Sequence, residues 1–288
     1  MSAAYERFVI TATGPSVRGQ VAGISGFVDG HGGYVEEFDQ FDDLDRRRFF
    51  ARAVFHVERS TSPGLEALKA GVADMAGRFG MHWSLHNAAA RPRVLLMASK
   101  LDHCLRDLLY RHGRGELDMD VAAVVSNHRD VEPLVAGHGL RFVHLPVTPR
   151  TRGDQEAALW ALIEETRSEL VVLARYMQIL SDELCRRLAG SAINIHHSFL
   201  PGFKGARPYR QAYMRGVKLI GATAHYVTPE LDEGPIIEQA VERVDHTYTE
   251  GDLAAVGRNC ECLALARAVK LHLDRRVFLN GERTVVFR

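Results

Sequence analysis

Cysteine is scarce in this chain. Four occur among 288 residues, Cys104, Cys185, Cys260 and Cys262, too few and too scattered for a disulfide framework, so reduced thiols are expected. Cys260 and Cys262 flank one residue in a helical pattern, where a spacing of two sends side chains to different faces and disfavours a shared metal. An excess of one charge sign is missing as well. The 36 Lys+Arg balance 36 Asp+Glu for a formal net charge of +0, which argues against nucleic acid or an anionic membrane as partner. The longest uninterrupted apolar run, residues 157–163, has seven members, far short of the roughly 20 that span a bilayer. The N-terminus also lacks the basic-then-apolar start of a secretory signal, so a cytoplasmic protein is expected. Glycine is missing where a nucleotide would need it. After the apolar run 94–98 the sequence continues Ser99-Lys-Leu-Asp-His-Cys104, without a Gly-x-Gly-x-x-Gly or a phosphate-cradling loop, so no nucleotide cofactor is expected.

What is present divides in two. The composition, 46% hydrophobic and 25% charged, is ordinary for a globular protein, and the length suits two domains. Asn87-Ala-Ala-Ala-Arg-Pro-Arg93 lies between two patterned regions like a linker, giving domains over 1–86 and 94–288 with 87–93 between them. In the first, 7–13, 34–41, 48–57 and 82–86 read as strands and 16–28 and 64–78 as helices. This βαββαβ order predicts a ferredoxin-like sandwich. In the second, the apolar runs 94–98, 121–125 and 170–174 and a short strand over 142–145 alternate with helices over 105–112, 131–137 and 156–167. Continuous apolar strands alternating with helices predict a doubly wound α/β domain with a mostly parallel sheet. A helix start at Ser181, strands over 192–195, 219–227 and 236–244, and a long helix over 250–272 follow. Thr247-x-x-Glu250 is expected to cap that helix, and Asn280-Gly281 to turn a closing hairpin over 277–287.

The densest polar cluster is Ala192-Ile-Asn194-Ile-His196-His197-Ser198. Strand alternation sends Asn194 and His196 to one face and Ile193, Ile195 and His197 to the other, at the carboxyl end of a strand where open α/β sheets bind ligands. The opposed directions of His196 and His197 argue against joint metal ligation. Downstream, His225-Tyr-Val-Thr-Pro229-Glu-Leu-Asp232-Glu-Gly234-Pro235 puts Asp232 in a loop. Alone it reads as a turn residue; beside an Asn-x-His it can orient the imidazole and manage protons on a water. A third segment, Ala174-Arg-Tyr-Met-Gln-Ile-Leu180, leaves the fourth apolar run and either lines a pocket or simply connects two elements.

Taken together, Asn194-x-His196, Ser198-Phe-Leu-Pro201, Phe203-Lys-Gly205, Gly221-Ala-Thr-Ala-His225 and Asp232-x-Gly234-Pro-Ile-Ile237 resemble the folate-dependent formyltransferases. His197 stands where that family usually has proline, and this variant is similar to the formyltetrahydrofolate deformylases. Gly14-Pro-Ser-Val-Arg-Gly-Gln-Val-Ala-Gly-Ile24 and the glycines from Gly30 to Gly33 resemble an ACT regulatory domain. The resemblance implies an ACT domain followed by a Rossmann-like formyltransferase domain, and hydrolysis of 10-formyltetrahydrofolate to tetrahydrofolate and formate. It implies catalysis by Asn194, His196 and Asp232, with the pterin held by Met177, Gln178 and Leu180 and by Thr228, Pro229, Glu230, Leu231 and Glu233. Folate is then substrate, with no cofactor and no metal. An amino-acid effector would meet Arg18, Gly19, Gly30 and Gly32, and pairing of such modules implies a homo-oligomer. Transfer of the formyl group to an amine acceptor, and a non-catalytic amino-acid sensor, are the alternatives.

Overall fold

The computed structural model describes residues 4–198 and 208–288. The motif residues 199–207, including the Phe-Leu-Pro and Phe-Lys-Gly segments and most of Gly205 to Tyr209, lie outside the described residues. The chain forms two units. One comprises Met1–Arg91 with Arg275–Phe278 and Val285–Arg288, the other Pro92–Asp274 with Leu279–Thr284.

The first unit is built from β1 (Tyr5–Pro15), α1 (Gln20–Gly30), β2 (Gly33–Asp43), β3 (Arg48–Glu58), α2 (Leu65–Gly77) and β4 (His82–Asn87). Its sheet has the order β2-β3-β1-β4, every pairing antiparallel. Alternation on β1 turns Phe8, Ile10 and Ala12 to a core shared with Ile24 and Phe27 of α1 and Leu68, Val72 and Met75 of α2. Strand β3 departs from simple alternation because it is buried on both faces. Phe49, Ala51, Ala53 and Phe55 join that core, while Phe50 meets Phe278 at 6.0 Å between ring centroids, nearly edge-on. This second apolar face explains why Arg275–Phe278 and Val285–Arg288 belong to the first unit, although the sequence pattern placed all of 94–288 in the second.

The second unit contains β5 (Arg93–Ala98), α3 (His103–Gly113), β6 (Asp120–Ser126), α4 (Glu132–Gly137), β7 (Phe142–His144), α5 (Arg152–Thr166) and β8 (Leu170–Leu173). There follow α6 (Asp182–Arg187), β9 (Ala192–His196), α7 (Pro208–Arg215), β10 (Leu219–Tyr226), β11 (Ile236–Arg243) and α8 (Glu250–Leu273). Seven strands run in the order β11-β10-β9-β8-β5-β6-β7. The four pairings from β9 through β7 are parallel, and β10 and β11 add antiparallel strands at the other side. The sheet is thus Rossmann-like and mostly parallel. Leu95, Met97, Val171 and Leu173 pack one face against Leu159, Leu162 and Ile163 of α5 and Leu184 of α6; α8 lies against β9, β10 and β11 and against α3. The chain order reverses between β5 and β8, the switch point at which such sheets bind ligands.

Two sequence expectations shift. The cap of α8 is Thr249, not Thr247: its hydroxyl accepts from the Asp252 N–H while Asp252 accepts from the Thr249 N–H. Thr247 instead closes on Asp245 through its own N–H and hydroxyl. Helix α7, which the sequence pattern left unassigned, precedes β10. The closing hairpin, β12 (Val277–Asn280) and β13 (Arg283–Val286), turns at Asn280-Gly281 as expected. Among the described residues, no helix is long and apolar enough to cross a membrane.

Candidate functional site

Asn194 and His196 end β9, and antiparallel register sets β10 beside them, His225 opposite Asn194 and Thr223 opposite His196. Past Tyr226 the chain loops out and returns as β11. Gly234 makes this return so close to β10 that a Cβ there would lie 1.7 Å from the Tyr226 carbonyl oxygen, and the Tyr226 N–H donates to the Pro235 carbonyl across the gap at 3.0 Å. The loop delivers Asp232 with φ 58, a left-handed conformation that a non-glycine residue keeps only when its surroundings impose it.

Asp232 Oδ2 lies 3.1 Å from His196 Nδ1, and Oδ1 lies 3.8 Å from His225 Nε2. Burial pushes the Asp232 carboxyl pKa up, but hydrogen bonding to His196 outweighs it and holds the group well below the usual carboxylate range. The carboxylate is therefore ionised. With Nδ1 of His196 taken by Asp232, Nε2 is buried and has no hydrogen-bond partner among the described residues. His225 is fixed from the other side. Its Nδ1–H donates to the Tyr226 carbonyl at 2.8 Å, so a neutral ring accepts at Nε2, where the Asn194 amide nitrogen stands at 3.3 Å. His225 therefore sets which way the Asn194 amide points.

These residues line a cavity of about 260 Å³. Its other wall is the segment after β8, tied to the end of β5: Ser99 donates to Asn127 at 2.7 Å and accepts from the Met177 N–H at 3.0 Å. The position where a phosphate loop would need glycine thus holds this wall in place. Met177, Gln178, Leu180, Thr228, Pro229 and Leu231 line the cavity; Glu230 and Glu233 are not among its lining residues. Met177, Ile179 and Leu231 are more than half exposed, leaving an apolar rim suited to a flat aromatic ligand.

His197 directly follows the end of β9 at His196. The His197 ring lies 4.9 Å from that of His196, tilted by 31°, and lines the same cavity. Arg175, also at a left-handed φ of 65, donates from Nη1 to His197 Nδ1 at 2.8 Å. Its Nε forms an ion pair with Glu261 Oε2 at 3.3 Å. Glu261, 1% exposed on α8, also meets His103 Nε2 at Oε2 and accepts from the Tyr209 hydroxyl at Oε1, both at 2.7 Å. A Cβ at Gly257, one turn earlier, would fall 2.1 Å from that hydroxyl, so glycine there is what admits the tyrosine. His103, Cys104 and Glu261 offer ligand atoms within 4.8 Å of one another. The guanidinium beside the same carboxylate opposes a cation, and no metal step is built on them.

His225 and Arg175 fell within segments named from sequence but were given no role of their own, and Glu261 was not named. Only His225 had a sequence signal, its alternation with Thr223 on a strand destined to lie beside β9. In the first unit, Gly30 lines a cavity of about 390 Å³ with His31, Asp74 and Arg78, whereas Arg18, Gly19 and Gly32 lie outside its lining.

The formyl transferase family model matches residues 92–269. A formyltetrahydrofolate deformylase of Corynebacterium sp. is 50% identical over 282 residues, 98% of each chain. A crystal structure of formyltetrahydrofolate deformylase from Burkholderia mallei superposes with a TM-score of 0.94 at 57% identity, covering 98% of this chain and 100% of that one. Glycinamide ribonucleotide transformylase 1 of Symbiobacterium toebii, at 29% identity and a TM-score of 0.64, covers 69% of this chain and 95% of its own.

Proposed function

Since the chain belongs to the formyl transferase family, among the formyltetrahydrofolate deformylases, we propose that its cavity catalyses hydrolysis of 10-formyltetrahydrofolate to tetrahydrofolate and formate. The observation that carries this reading is His196, held at Nδ1 by an ionised Asp232 while Nε2 is buried without a partner in a ligand-sized cavity.

The low pKa of Asp232 makes it a poor final acceptor for a proton but a strong electrostatic partner for an imidazolium. His196 Nε2 therefore takes a proton from water as the water oxygen bonds to the formyl carbon, and Asp232 balances the resulting charge. The formyl oxygen becomes an oxyanion. The Asn194 amide, with one hydrogen given to His225, has a second to offer it. When the carbon–N10 bond breaks, the His196 proton passes to N10, and formic acid leaves and ionises. Folate is the substrate, and the reaction calls on no separate cofactor.

Met177, Gln178, Leu180 and the Thr228, Pro229 and Leu231 side of the loop form the pterin wall in this reading; Glu230 and Glu233 act only through the loop backbone, where Glu230 accepts from the Thr228 hydroxyl and the Glu233 N–H. The first unit's βαββαβ order and β2-β3-β1-β4 sheet support an ACT-type module; the proposal extends to an amino-acid effector and a homo-oligomer, as the resemblance to paired ACT modules implies, and to a cytoplasmic setting. The deciding assay is formate release from 10-formyltetrahydrofolate with no amine present. Turnover under those conditions is expected; strict dependence on an amine acceptor would establish the transferase instead, and Asp232→Asn with unchanged turnover would remove the assigned mechanism.

A further inference from the structure

One buried group near the site has no part in the chemistry described so far. Arg175 is a cation 9% exposed, on a left-handed backbone, at the rim of a cavity whose reaction uses no positive side chain of that kind. Burying a guanidinium is costly unless it is paired, and a strained backbone persists only where its surroundings impose it. Its pairing is an ion pair, Nε 3.3 Å from Glu261 Oε2 without hydrogen-bond alignment, and one hydrogen bond, Nη1 donating to His197 Nδ1.

Resting on the deformylase reading, we propose that Arg175, beside Glu261, is a positioning residue that fixes His197 as a neutral ring with its proton on Nε2, its centroid 4.9 Å from that of the reacting His196. A guanidinium can only donate, so the Nδ1 that accepts from it carries no hydrogen, and the remaining proton sits on Nε2. The fixed ring then does two things for its neighbour. It holds the His196 plane in which Nδ1 meets Asp232, and it keeps a second cation away from the imidazolium that forms during the reaction. The groups facing His197 are Arg175 from the segment after β8, His196 on its own strand, Asp232 from the loop after β10 and Glu261 from α8. Glu261 is itself held by His103 of α3 and Tyr209 of α7. Three helices thereby hold the one hydrogen bond that sets the His197 tautomer.

The test uses the full chain labelled with 15N-histidine, in which long-range proton–nitrogen spectra distinguish the two neutral tautomers, and His197 is assigned from a His197→Gln spectrum. The wild type is expected to show the Nε2–H form. Arg175→Met should mix the tautomers and lower kcat for formate release by about tenfold or more, with KM moved by less than about threefold. Because Arg175→Met leaves Glu261 short of a cation and can fail to fold, Arg175→Lys, which keeps a charge there, carries the same measurement. Across wild type and the folded variants, kcat should follow the fraction of His197 in the Nε2–H form. A variant that loses the tautomer preference with full kcat, or loses kcat with the tautomer intact, overturns the proposal. If the wild type releases no formate, the deformylase reading fails, while the spectra still decide whether Arg175 sets His197.

Discussion

The two units place charge in opposite ways. In the first, Arg52 and Arg276 converge on Glu37 at 2.7 Å each and on Asp39 at 3.6 and 3.5 Å. Hydrogen bonding to Arg52 leads the effects that lower the Glu37 pKa. Both carboxylates keep about a third of their side-chain surface in water. In the second unit, the Glu261 carboxylate is 1% exposed, Arg175 and Asp232 sit on left-handed backbone, and His196 retains a buried nitrogen with no partner. The first arrangement pairs a buried Arg52, 5% exposed, with carboxylates that water still reaches. The second stabilises little by itself, since desolvation offsets much of the attraction in buried pairs. Left-handed non-glycine residues occur in the first unit as well, at Arg47 and Arg275; at the end of β9 they coincide with an unsatisfied buried histidine nitrogen and a ligand-sized cavity.

The sharpest way to break this contrast is Asp232→Asn. Formate release should fall about 10² to 10⁴-fold, because the amide keeps the shape but cannot balance the His196 cation, and steady-state assay of formate measures it. Gly234→Ala tests whether the loop geometry is imposed by the fold: a Cβ 1.7 Å from the Tyr226 carbonyl oxygen forces the backbone apart, and a loss of about 3 kcal/mol or more in chemical denaturation is expected. Wild-type unfolding free energy there would show the loop to be freely deformable.

Acid distinguishes the units next. The folded His197 pKa is lowered to about 4 from 6.5, by burial first and then by Arg175 and His196. The unfolded chain therefore takes a proton that the folded one refuses, so this contribution is complete above about pH 6.5 and is lost as pH falls toward 4. Asp232, depressed in the folded state, contributes stability above its unfolded pKa that disappears as pH falls further. Denaturation from pH 7 to 4 should accordingly show a shallower decline in His197→Gln than in wild type; identical slopes would remove the His197 contribution. The smallest effect belongs to the first unit. Arg276→Ala should cost at most about 1 kcal/mol, as pairs with half-wet partners do, and leave kcat unchanged; a kcat loss at constant stability would show that the first unit's ion network reaches the chemistry.

Much of this molecule was legible before any coordinates. Continuous apolar runs marked the parallel strands, the βαββαβ order marked the sandwich of the first unit, and Asn194, His196 and Asp232 stood out because two of them share a strand end and the third a short loop. Other features escaped, helix α7 among them. The α8 cap moved from Thr247 to Thr249, because two overlapping Thr and acidic residues offer similar local patterns and the start of the helix decides between them. The contact of His197 with Arg175 had no local signal, since Arg175 comes from the segment after a different strand. The second apolar face of β3 gave no clue that residues from the chain's far end would cover it.

Sequence by itself thus determined most of the order of elements and the identity of the groups that meet at the end of β9, because periodicity and side-chain chemistry are local properties. Only the tertiary structure decided which groups hold those residues in place. His225 orients Asn194 because antiparallel register sets them opposite, and Glu261 steadies Arg175 because α8 packs across the sheet. Periodicity says which face a side chain takes; the partner it meets there is fixed by strand register and helix packing, which no local pattern encodes.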